Sequence, residues 1–142
     1  MPSSSESPRR RYFRLLFRFF GLAHLAFGVA GTAFPRWFYQ AVPPWPPMHA
    51  GQIQIAGVFD LARAALFLIA ATDIPRYLLL ASWVGAVAEL GHALVRIGHV
   101  LAGDNPPDDL LAPFFMLLFG LLLLATVLRS RPREPASEHG AA

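Results

Sequence analysis

The sequence predicts an all-α, four-helix transmembrane bundle of up-down-up-down topology with both termini cytoplasmic. Three observations carry that expectation. Of 142 residues, 55% are hydrophobic and only 15% charged, a balance well outside the usual soluble proportion. Four apolar runs each approach the roughly 20 residues that a helix needs to cross about 30 Å of hydrocarbon. The basic residues gather at the ends of those runs, whereas a nucleic-acid surface needs them together on one soluble face. The lipid bilayer is therefore the expected environment, and no nucleic-acid partner is expected.

The first span is Leu15 to Phe34, closed by Pro35. A basic leader precedes it, as in a signal peptide, but its length, Arg18 and a glycine face mark it as a retained helix. The loop from Pro35 to His49 interleaves Trp37, Phe38, Tyr39, Trp45 and Met48 with paired prolines. That composition reads as an extended, interfacial anchor, with a lid over a cavity as the alternative. The second span, Gly51 to Ala71, ends before Ile74-Pro75. The third, Arg76 to Ile97, runs into Gly103 and Pro106-Pro107. The fourth, Leu110 to Leu128, stops at Arg129, Arg131 and Arg133. Breakers and charges thus fall where helix ends belong.

Residues 13–129 form the expected membrane domain. Residues 1–12 and 130–142 read as disordered tails, since Ser, Pro, Ala and Glu build no packed core. Arginines 9, 10, 11, 14, 18, 76, 129, 131 and 133 would lie on one side of the membrane, the cytoplasmic side by the positive-inside rule. The arginine-only basic set and small size point to a bacterial inner membrane.

The absence of cysteine removes disulfides, thiolate metal sites, iron–sulfur ligation and cysteine nucleophiles. The absence of lysine removes Schiff-base and P-loop chemistry. What remains is a set of polar residues inside the spans, each costing about 2.5–3.5 kcal/mol on insertion scales unless partnered or used. Ser82, Gly85, Glu89, His92, Arg96 and His99 alternate spacings of three and four, which aligns them on one stripe of the third span. Gly21, His24, Gly28 and Gly31 share a face of the first. Gln52, Ala56, Asp60 and Arg63 lie along one side of the second, beside Gly57 and Ala64. The fourth span is uncharged, with Pro113 and Gly120, and reads as a packing wall. At about 1.5 Å per residue, His24, Asp60, Arg63, Glu89 and His92 all fall roughly 12–18 Å from the outer helix ends. They form one candidate layer near the midplane.

Within that layer Asp60 and Arg63 are spaced to pair along their own helix, and Glu89 to pair with His92 or Arg96. A neutral network that only sets helix register is therefore one reading. Glu89 and His92 match a Glu-x-x-His spacing used in di-iron bundles, but there is a single copy, and Arg63 at the same depth would repel a metal ion. His24 with His92 is the pair of suitable depth for axial haem ligation. No cofactor is assigned. A quinone or another amphipathic small molecule fits the chemistry better. Carboxylate, imidazole and guanidinium groups at one depth can hydrogen-bond a carbonyl headgroup whose tail stays in lipid, and the same groups could relay protons.

The segments Phe20-Gly21-Leu22-Ala23-His24 and Ile55-Ala56-Gly57-Val58-Phe59-Asp60-Leu61-Ala62-Arg63, the polar turn Gly98 to Asp104 and the apolar fourth helix resemble the DoxX-like group of small four-helix membrane proteins, over roughly residues 13–128. The resemblance implies the fold. Some proteins of that group are associated with quinone-linked oxidation of sulfur compounds, but this chain has no cysteine or cofactor motif onto which a catalytic role would carry over. The expected function is that of an accessory, non-enzymatic membrane protein in which Asp60 and Arg63 set the field, Glu89 and His92 contact a headgroup, and His24 closes the pocket. The alternatives are a structural or assembly subunit within a membrane complex, and a haem- or metal-dependent redox protein.

Overall fold

The computed structural model describes residues 7–41, 49–104 and 110–129. Over these the chain is almost wholly helical, with α1 at Pro8–Ala33, α2 at Pro35–Ala41, α3 at Ala50–Thr72, α4 at Ile74–Leu101 and α5 at Leu111–Arg129. All but α2 are long and apolar enough to cross a membrane, and consecutive long helices run antiparallel. The chain is thus a polytopic helical bundle.

Helices α1, α3 and α4 each start where the sequence supplies a cap. Ser7 accepts the Arg10 N–H at 3.4 Å with Pro8 in the first turn, so α1 begins seven residues before the apolar run at Leu15. Residues 8–12, assigned to the tail from composition, are therefore helical. The expected tail at 130–142 and the paired prolines at 43–47 lie outside the described residues. Pro35 to Ala41, expected to be extended, instead form α2. Proline at a first helical position forfeits no hydrogen bond, and the Phe38 N–H closes the turn on Phe34 O at 2.9 Å. None of α2 is buried, and Trp37 is 61% exposed, which suits a short helix at the membrane interface. His49 caps α3 through Nδ1, and Asp73 caps α4 by accepting the Arg76 N–H at 3.3 Å. The α3–α4 connection is thereby reduced to Asp73 alone.

Packing is by pairs: α1 lies along α3 and α4 along α5, with sparser contact between the pairs. Small residues permit the close approach. A Cβ on Gly57 would stand 2.7 Å from the Thr32 backbone nitrogen, and one on Gly120 would stand 3.1 Å from that of Leu90. The half of the bundle nearest the start of α1 holds the apolar core, which includes Phe13, Phe17, Phe67, Ile74, Phe119 and Leu123. There Phe20 stacks face to face on Phe119 across the two pairs. The far half buries mainly Gly28, Gly31, Gly57, Ala93, Arg96 and Pro113, small or polar groups that leave the aromatic layer without a counterpart there.

Candidate functional site

The polar residues of α1, α3 and α4 meet directly above the aromatic core. His24 is the bridge. Its Nδ1 lies 3.1 Å from Asp60 Oδ1 on α3, and its Nε2 lies 3.3 Å from Glu89 Oε1 on α4. Arg63 Nη1 donates to Asp60 Oδ1 at 3.0 Å and approaches Glu89 Oε1 at 3.8 Å. Glu89 Oε1 forms no hydrogen bond among the described residues, so its approaches to His24 and Arg63 are electrostatic contacts. The imidazole of His24 packs nearly parallel to Phe67, with ring centroids 5.8 Å apart. Phe67 thus floors the site. Sequence reasoning missed it, although its place one turn beyond Arg63 on the same helix face was a usable signal.

The α4 stripe faces inward as its spacing predicts: Ser82, Gly85, Glu89 and Arg96 are buried and His92 is half-buried. His99, at its far end, is exposed and pairs with Asp104 at 3.0 Å. On α1, Gly21, Gly28 and Gly31 are buried around His24. The α3 face differs from expectation. Gln52 and Ala56 are exposed, while Gly57, Ala64, Phe67 and Ala70 are buried. The smallest side chains decide that face, because only they allow α1 to approach. Asp60 and Arg63 are left on its margin, with 21% and 20% of their side-chain surface open, against 4% for Glu89.

The pairing also differs in part. The Asp60–Arg63 pair within α3 is present, whereas Glu89, expected to pair within α4, reaches across the bundle to His24 and Arg63. His92 lies one turn beyond Glu89, within electrostatic reach of Arg63, Arg96, Glu89 and Asp60, and its buried Nδ1 has no hydrogen-bond partner among the described residues. Ser82 Oγ, fully buried on the same stripe, likewise has none. Four of the five candidate residues are thus in mutual contact, and the fifth stands beside them with an unused nitrogen.

This geometry limits the chemistry. Both ring nitrogens of His24 face carboxylates, which leaves neither for a haem iron. The carboxylates sit at opposite edges of the ring, and among the described residues no group of His, Asp and Glu converges on a point where a metal ion would sit. Two apolar grooves mark the outer surface, one along Leu22, Ala26, Val29 and Trp37 and the other at Trp83, Val84, Val87 and Ala88. Neither borders the cluster. In comparisons with known proteins, no family model, curated protein or solved structure matches this chain.

Proposed function

We propose that this is a DoxX-like accessory protein of a bacterial inner membrane, non-enzymatic, whose mid-membrane cluster holds the headgroup of an amphipathic small molecule such as a quinone. The observation that carries the reading is the exposure of Asp60 and Arg63, each about one fifth open in the middle of an apolar helix. Charged surface at that depth is costly against acyl chains, and an entering carbonyl group would cover it. Arg63 offers further N–H donors at the open margin, and His92 offers an Nδ1 that has no partner among the described residues. Asp60 and Glu89 hold the guanidinium in place, and His24 closes the site from α1. Binding of a benzoquinone with a decyl tail to the purified chain, followed by tryptophan quenching in mild detergent, tests it. Arg63→Lys and His92→Asn are each expected to weaken binding about tenfold, the equivalent of one hydrogen bond to a charged group, with helicity unchanged. No binding by the native chain, or unaltered affinity in both variants, overturns the reading.

A second reading is favoured by the mutual pairing of His24, Asp60, Arg63 and Glu89 across three helices. In it the protein is a structural or assembly subunit of a membrane complex, and the network sets helix register. Glu89→Gln and His92→Asn separate the two. Retained folding with lost quinone binding supports a site, and lost folding alone supports a scaffold.

A further inference from the structure

We propose that His24, Asp60 and Glu89 form a proton-binding site, holding one dissociable proton more than a neutral imidazole and two carboxylates would carry. The argument begins with donors and acceptors. A neutral imidazole has one N–H and one lone pair. Here both nitrogens face carboxylate oxygens, at 3.1 Å on the Asp60 side and 3.3 Å on the Glu89 side. With a neutral ring bonded to Asp60 through an Nδ1–H and both carboxylates ionised, the bare Nε2 would stand 3.3 Å from the Glu89 anion with no proton between them. One added proton removes that conflict, either as the second N–H of the ring or on the carboxyl that faces the bare nitrogen.

The charges in direct contact favour the same count. Asp60 and Glu89 bring two negative charges together and Arg63 one positive, so one added proton balances the contacting set. The cation of Arg96 stands two turns beyond Glu89 on α4. Phe17, Phe67 and Leu123, none of them exposed, exclude water from below. The other titratable group within electrostatic reach of the cluster is His92 on α4, which is itself within reach of Arg96. Between Leu111 and Leu128, α5 contributes none. The inference needs no quinone and holds for the ligand-free protein, so its failure is separable from that of the proposed function.

The test is nitrogen NMR of histidine-labelled full-length protein in nanodiscs at neutral pH, with infrared detection of protonated carboxyl groups. One ring bearing hydrogen on both nitrogens is expected, assigned to His24 by its loss in His24→Gln. Should that chain not fold, persistence of the signal through His49→Gln, His92→Gln, His99→Gln and His139→Gln assigns it by elimination. Asp60→Asn removes one negative charge, so the cluster should release the extra proton. A neutral His24 with a protonated-carboxyl band sensitive to Glu89→Gln or Asp60→Asn places the same proton on a carboxylate and also supports the proposal. A neutral ring together with two ionised carboxylates overturns it.

Discussion

Glu89 is the most enclosed charge of the cluster, 3% exposed, and its carboxylate is what His24 and Arg63 share on the α4 side. Deleting one partner of a buried ionic network costs more than the network contributes, because the groups left behind, here His24 Nε2 and the Arg63 guanidinium, lose a buried polar partner. Glu89→Ala should therefore lower the unfolding free energy by about 3 kcal/mol, read from circular dichroism during denaturation in mixed micelles. Arg18→Ala, at an exposed site on α1, should change it by no more than about 0.5 kcal/mol. Equal stability of the Glu89 variant would show that α4 is held by packing alone. Counting residues along the spans was enough to set His24, Asp60, Arg63, Glu89 and His92 at one level. It could not choose Glu89's partner, because an i,i+3 neighbour and a residue across the bundle compete, and only the rotation of α1 against α4 decides between them.

At the scale of elements, backbone proximity between α1 and α3 governs which faces turn inward. A Cβ at Gly57 would stand 2.6 Å from Thr32 Oγ1 and 2.7 Å from the Thr32 nitrogen, and the latter is main chain and cannot rotate aside. Gly57→Ala should cost about 1–3 kcal/mol, the usual penalty of overpacking. Gly91, on α4, has nothing within 4 Å of an added Cβ, so Gly91→Ala should be neutral or stabilise by about 0.5–1 kcal/mol through helix propensity. Thermal unfolding of the two variants side by side checks both signs. The same physics explains what was legible. The α4 stripe could be read because its polar residues are also its buried ones, and the glycine face of α1 because small residues mark contact. The face of α3 was misjudged because polarity at Gln52 was weighed above the small size of Gly57, Ala64 and Ala70. The helical turn at Pro35 was missed because proline was read as a breaker where it serves as a first residue.

For the molecule as a whole, four membrane-length helices return the chain to the side on which it started. Arg9, Arg10 and Arg11 in the first turn of α1, Arg76 at the start of α4 and Arg129 at the end of α5 share one end of the bundle, and the positive-inside rule predicts that this end faces the cytoplasm. Arg36 lies at the other end on α2, and the exposed His99–Asp104 pair closes α4 at that end. Because the native chain has no cysteine, single cysteines report topology without a background. Ser5→Cys and Ser130→Cys should resist a membrane-impermeant maleimide in intact cells and react after permeabilisation, whereas Gln40→Cys and Asp104→Cys should react in both. The reverse pattern would mean that arginine placement does not orient this protein. Labelling of Ser5 and Ser130 from opposite sides would contradict the even number of crossings, and with it the antiparallel packing that brings His24 between Asp60 and Glu89.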